Sequence, residues 1–328
     1  MPIGNHLRRM ADWFHALTGF RETSWAETRA QLEVTGAVLR SRVNGRAFGI
    51  GTLETPSLAD LRERALAVAN RLKGRAHVSR VAADVGALHR DAASRNALFQ
   101  VASQFNLLEM VHPGVTPEDG ITRYQHDPTQ GPACAIAAGG ATMFRNFFVP
   151  VAGGEGQTAA RQIDCLADIG HALDNDDEVL WSMKNGYALA TASGLAVVAG
   201  RLASLEPSGR NLLRDRLRVG VHRDVEVTAG DAGHLVSQVF CSALPVAYGD
   251  APASAWEPFA RLVLQGAYEA TMWAAVLNAH ATGMPVVYLT RLGGGAFGND
   301  SAWIDAAMDR AVTLVDDIAL DIRIVSRR

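Results

Sequence analysis

Cysteine is scarce: Cys134, Cys165 and Cys241 stand far apart in 328 residues, with no CxxC pair. An odd, sparse count argues against a disulfide framework and fits reduced, buried thiols in a cytosolic protein. HExxH and other metal-ligand spacings are also missing, so no metal is expected. Basic runs are absent too. With 31 Lys and Arg against 34 Asp and Glu, the net charge is −3. Without clustered cations a nucleic-acid partner is not expected. No apolar stretch is long enough to span a membrane. The longest, near 188–199, is interrupted by Thr, Ser and Gly. The N-terminal Met1-Pro-Ile-Gly-Asn-His-Leu-Arg-Arg lacks the apolar run of a secretory signal. No repeat or low-complexity linker appears. A cytoplasmic protein with a large core is the expectation, since 48% of its residues are hydrophobic.

What is present begins with a segment, 1–75, of helix, hairpin and helix. Residues 7–17 read as a short helix. Residues 31–39 alternate in polarity, Asn44-Gly45 signals a hairpin turn, and 47–53 returns. Ser57 with Asp60 forms a capping box for a helix whose apolar face is Leu58, Leu61, Ala65, Leu66, Ala69 and Leu72. This segment is expected to cover one face of the core. From His77 onward strands and helices alternate. Strands are expected at 97–105, 217–227, 236–246, 285–290 and 320–325. Helices are expected at 131–147, 162–173, 187–205, 256–281 and 301–316. The pattern predicts an α/β layered domain over 76–328, whose ligands sit at the carboxyl ends of strands.

Two constellations fall at such ends. The first is Leu289-Thr-Arg-Leu-Gly-Gly-Gly-Ala-Phe-Gly-Asn299, joining a strand to a helix start. Its glycines leave backbone amides uncovered and permit positive φ, and the helix terminus adds positive charge. The loop suits a phosphate or diphosphate. It is neither a Walker loop, lacking Lys-Ser/Thr, nor a Rossmann fingerprint, being GGGxxG. A tight turn without a ligand is the alternative. The second is Ser103-Gln-Phe-Asn106-Leu-Leu-Glu109, followed by a long loop with Glu118, Asp119 and Asp127 and by Thr129-Gln-Gly-Pro132-Ala-Cys-Ala. Paired carboxylates there can divide acid and base roles, because crowding pushes their pKa values apart. Asp127 is equally a helix cap, and Asn106 equally a turn residue. His112 and His126 flank the loop and carry no assigned role.

Taken together, QFN-x-LE, the acid-rich loop, TQGPACAIA and LGGGAFGN over 76–328 resemble macrodomains. Within that superfamily they most resemble the arginine-specific, MavL-like (ADP-ribosyl)hydrolases. The resemblance implies a three-layer mixed sheet flanked by helices, with 1–75 as an N-terminal α+β extension packed on it. It implies that Gly293, Gly294, Gly295, Ala296, Phe297, Gly298 and Asn299 cradle the diphosphate of ADP-ribose, Phe297 against the distal ribose. Asn106 would hold that ribose and Asp84 the adenine, though Asp84 reads as well as a surface residue. Asp119, Asp127 and Glu109 would be catalytic.

The usual Asn-Ala-Ala-Asn is Ser103-Gln-Phe-Asn106 here. The poly(ADP-ribose) glycohydrolase signature, Gly-Gly-Gly followed by Gln-Glu-Glu, is absent. Removal of a single ADP-ribose is therefore expected ahead of chain trimming. The implied activity is hydrolysis of the N-glycosidic bond to an arginine side chain of an ADP-ribosylated protein, without a cofactor. Acidic neighbours suit a guanidinium leaving group. A non-catalytic ADP-ribose reader is the alternative, and a scaffold that binds no nucleotide the third.

Overall fold

The computed structural model describes residues 12–326. Two short helices, α1 (Trp13–Thr18) and α2 (Trp25–Ala30), lead into a small antiparallel sheet of β1 (Leu32–Thr35), β2 (Val38–Ser41) and β3 (Ala47–Gly49). The expected strand 31–39 is split, because Gly36 at φ 57 reverses the chain inside it. The expected helix 7–17 lies partly outside the described residues. β4 (Thr52–Glu54) then joins the main sheet, and α3 (Leu58–Ala69) starts on the Ser57/Asp60 capping box. Both its side-chain bonds form: Asp60 N–H to Ser57 Oγ at 3.1 Å and Ser57 N–H to Asp60 Oδ2 at 3.0 Å.

The chain continues through β5 (His77–Ala82), α4 (Val85–Arg90), β6 (Leu98–Ala102), α5 (Gln130–Ala137) and α6 (Gly139–Phe147). A small ribbon of β7 (Pro150–Val151) and β8 (Gly154–Glu155) precedes α7 (Ala167–Ala172). The hairpin of β9 (Trp181–Lys184) and β10 (Tyr187–Ala190) leads to α8 (Ala192–Ser204) and α9 (Pro207–Arg214). β11 (Gly220–Glu226), β12 (Leu235–Cys241), α10 (Ala253–Thr282), β13 (Val286–Leu289), α11 (Ser301–Thr313) and β14 (Asp321–Ser326) complete it.

The main sheet has seven strands in the order β4-β11-β12-β6-β13-β14-β5. β12, β6, β13, β14 and β5 run parallel, and β11 is antiparallel to its neighbours β12 and β4. The architecture is a mixed, mostly parallel sheet flanked by helices. Parallel strands covered on both faces read as continuous apolar runs. Leu98, Phe99 and Val101 of β6 and Val286 to Leu289 of β13 are all buried. α10 packs against α3, α8 and α11. No helix of the described residues is long and apolar enough to cross a membrane.

Three expected helices change. Residues 187–190 form a strand instead, because Asn185 (φ 48) and Gly186 (φ 79) make a two-residue hairpin turn that pairs Lys184 with Tyr187. Both central residues at positive φ match the twist of paired strands. The helix expected at 162–173 shrinks to α7. The helix expected at 131–147 breaks at Ala138, whose φ −115 and ψ 61 are non-helical. Beyond the break, Gly139 and Gly140 press against Leu17 and Phe48, where a Cβ would come within 2.5 and 2.6 Å.

That contact belongs to a second core. Phe14, Leu17, Leu32, Leu39, Phe48 and Ile50 pack with Leu108, Met110, Ile121, Tyr124, Met143 and Tyr187. The N-terminal residues therefore lie under the segment that carries Glu109.

Candidate active site

A cavity of about 770 Å³ opens at the carboxyl ends of the parallel strands. Its walls include Ala102 and Ser103 after β6, Thr290 and Arg291 after β13, Val325 and Ser326 on β14, and Ala83 and Asp84 after β5. Residues 126–133 close one side, and Gly293 to Phe297 another. Tyr187, Tyr248 and Phe297 form an aromatic wall with ring centres 5.1–5.6 Å apart.

The glycine loop is shaped from behind. Gly293 sits at φ 69, and a Cβ there would lie 2.5 Å from Asn299 Nδ2 and 2.6 Å from the Ala243 methyl. Asn299 N–H donates to Gly293 O at 2.9 Å, and the buried Asn299 side chain donates to Leu244 O at 2.8 Å. Asn299 thus braces the loop from outside the cavity, and Gly298 is also off the wall. The amides of Gly293, Gly295, Ala296 and Phe297 have no partner among the described residues. Successive free amides of this kind make an anion-binding concavity. The positive end of α11 is not part of it, because Asp300 Oδ1 caps Ala302 N–H at 2.7 Å.

The turn after β6 presents Glu109. Leu107 takes φ 65, a conformation that costs a branched residue energy. The amides from Leu107 to Met110 are all satisfied. Leu107 N–H donates to Gln104 O at 3.0 Å and Leu108 N–H to Asn106 Oδ1 at 3.1 Å. Glu109 N–H donates to Tyr124 Oη at 3.0 Å and Met110 N–H to Gln104 Oε1 at 2.6 Å. The Gln104-Phe-Asn106 motif is therefore the device that builds this turn. Asn106 is fully buried. Its Nδ2 donates to Gln162 Oε1 at 2.8 Å, and Gln162 in turn bonds Asn185. It does not reach the cavity wall, contrary to its expected contact with a ribose.

The carboxyl of Glu109 lies on the wall but is buried, and its Oε1 has no hydrogen-bond partner among the described residues. Burial pushes its pKa well above the ordinary carboxylate value. The Arg145 charge opposes this and the Asp127 charge adds to it. Asp127 lies on the same wall, partly exposed, with Oδ1 accepting from Thr129 N–H at 2.8 Å. It thus accepts within a local turn ahead of α5, whose N-cap is Thr129, and is also a cavity carboxylate.

Gln130 ties α5 to β6. Its side chain accepts from Ala102 N–H at 2.9 Å and donates to Gln100 O at 2.8 Å. Gly131 follows in contact with Glu109, where a Cβ would lie 2.2 Å from Oε2.

Two of the three expected catalytic carboxylates are brought together. Asp119 is not among the lining residues. It is exposed and spent as a cap, its Oδ2 accepting from Thr116 N–H at 2.8 Å and Thr116 Oγ1 at 3.1 Å. Glu118 accepts from Ala159 N–H. Asp84 lines the far end of the cavity and caps α4 through Ala87 N–H at 2.7 Å. Among the described residues no group of three His, Cys, Asp or Glu side chains could hold a metal. Sequence reasoning missed Gln104, Tyr124, Tyr187, Tyr248 and Arg291. The two-residue Asn185-Gly186 turn was the signal that would have placed Tyr187.

No protein-family model matches the sequence, and no curated protein matches it. Among solved structures, the fold is similar to bacterial poly(ADP-ribose) glycohydrolases. The enzyme from Thermomonospora curvata, bound to the inhibitor ADP-HPD, is 15% identical with a TM-score of 0.43, over 92% of this chain and 91% of that one. A mutant of the enzyme from Deinococcus radiodurans, in complex with ADP-ribose, is 14% identical with a TM-score of 0.41, over 94% and 91%.

These neighbours overturn the placement among the MavL-like arginine hydrolases, which are a distinct macrodomain-like family. Identity and TM-score at this level leave the neighbours' substrates with the neighbours.

Proposed function

We propose that the cavity binds ADP-ribose and that Glu109, with Asp127, hydrolyses a glycosidic bond at its distal ribose. One observation carries the reading. A buried carboxyl, whose protonated form burial favours, lines one cavity with a partly exposed carboxylate and a loop of free amides. Two carboxyl groups in unlike environments divide acid and base work. The free amides take the diphosphate, and the aromatic wall backs the distal ribose. The floor toward Asp84, Val325 and Ser326 takes the adenosine.

As the C1–leaving-group bond breaks, Glu109 passes its proton to the leaving atom. Asp127 stabilises the positive charge that develops on the ribose and accepts a proton from the attacking water. Water oxygen ends on C1, and free ADP-ribose and the unmodified side chain leave. The preference for arginine rested on the MavL-like resemblance and the acid-rich loop; of the three expected carboxylates, Glu109 and Asp127 line the cavity and Asp119 does not. The proposal is therefore an ADP-ribosyl glycosidic hydrolase.

The test is incubation with arginine-, glutamate- and serine-linked ADP-ribosyl proteins and with poly(ADP-ribose), following free ADP-ribose, beside calorimetry with ADP-ribose. Release from at least one substrate is expected. Binding without release from any would make the chain a reader, and no binding would remove ADP-ribose from the account.

A further inference from the structure

Beneath the Glu109 turn lies a charge that the proposed chemistry does not use. Arg145, on α6, is 1% exposed and forms no ion pair with a carboxylate among the described residues. A buried charge without an opposite partner is costly, and burial pushes this guanidinium down to about 10. Each of its three nitrogens is directed. Nε gives to Leu107 O at 3.2 Å, one terminal nitrogen to Thr142 Oγ1 at 2.9 Å, and the other to His222 Nδ1 at 3.2 Å. The guanidinium carbon stands 3.9 Å from the centre of the Phe240 ring.

His222 cannot discharge it. The His222 Nε2 proton goes to Ile50 O at 2.6 Å, which leaves Nδ1 as acceptor. Burial and the Arg145 charge hold the imidazole neutral. The carbonyl that Arg145 grips belongs to Leu107, the left-handed residue two before Glu109.

Resting on the reading of Glu109 given above, we propose that Arg145 is a positioning residue for it. Its grip on the Leu107 carbonyl fixes the turn that presents the carboxyl, and its charge stabilises the carboxylate formed when Glu109 gives up its proton. The other titratable groups acting around Glu109 do not take this role. Asp127, from the loop, acts in the opposite sense. Tyr124 from the turn at 122–126, Cys134 from α5 and Tyr187 from β10 are held neutral by burial.

The test uses Arg145→Met and Arg145→Lys in the full chain. The protonated Glu109 carboxyl is isolated by infrared difference against Glu109→Gln and titrated with pH. In Arg145→Met the band is expected to persist to higher pH by roughly one unit or more, the effect of removing a nearby opposite charge. The alkaline limb of ADP-ribose release should move with it. Arg145→Lys keeps the charge but loses the planar fork, so the titration should stay as in wild type. Its kcat should fall about tenfold or more, the scale of a misplaced catalytic group, with KM unchanged.

An unmoved titration in Arg145→Met, or an unchanged kcat in Arg145→Lys, overturns the proposal. If Arg145→Met does not fold, Arg145→Lys decides. The infrared titration needs no turnover. A chain that releases no ADP-ribose would therefore sink the reading of the cavity while the hold of Arg145 on Glu109 is still measured.

Discussion

Glu109→Gln is expected to slow ADP-ribose release by about 10²–10⁴-fold, the usual contribution of a positioned general acid. Gln matches the carboxyl in size and keeps the buried wall intact, but it has no acidic proton to pass to the leaving group. ADP-ribose itself has no leaving group, so its affinity should stay within a few-fold of wild type by calorimetry. Asp127→Asn should slow release as well, because it removes the charge beside the developing cation. Asp119→Asn should leave the rate unchanged, since that carboxylate is spent on Thr116 outside the cavity. If Glu109→Gln turns over like wild type while Asp119→Asn does not, the assignment of the acid is wrong.

Gly131→Ala is expected to lower stability by about 1–3 kcal/mol, the cost of forcing a methyl into a packed site, and to remove activity with it. The new Cβ would lie 2.0 Å from Ala102 O and 2.2 Å from Glu109 Oε2. The carbonyl belongs to β6, held there by its pairing with Cys241 of β12 and by Gln130 on its amide, so it cannot retreat freely. The carboxyl is enclosed and can move only away from its working position. Gly200→Ala, inside α8 with no atom within 4 Å of its Cβ, is the control. It should raise stability by roughly 0.5–1 kcal/mol, because Ala loses less chain entropy in a helix. Paired thermal or urea unfolding with a release assay separates the two. A Gly131→Ala protein as stable and active as wild type would show that α5 does not clamp Glu109.

The layered fold was legible because its signals are local. The Ser57/Asp60 box started α3 as read, and the alternation of strands and helices gave the sheet its parallel half. The strand ends also gave the cavity two of its walls, the glycine loop and Glu109.

What was not legible depends on partners far away in sequence. Asn106 looks like a ligand-binding Asn at a strand end, yet Gln162 and Leu108 N–H consume its side chain. Asp119 and Asp127 are equivalent in composition, and only the cap on Thr116 separates them. Asn299 and Gly298 continue the glycine run, but the chain turns inward there and they brace the loop. The aromatic wall was hidden because residues 187–205 carry helical periodicity, and the Asn185-Gly186 turn overrides it for the first four. Arg145 reads as the polar face of a helix until α6 packs it against the main sheet, on Phe240 and His222.

The most direct measurement is the pH dependence of kcat/KM for ADP-ribose release, which reports groups of the free enzyme. Glu109 must carry its proton to act, and its pKa is raised by burial. The rate is therefore expected to fall as pH rises through that raised value, above the range of an ordinary carboxylate. A rate that stays level or climbs as pH rises through the titration of Glu109 would contradict a protonated Glu109 as the acid.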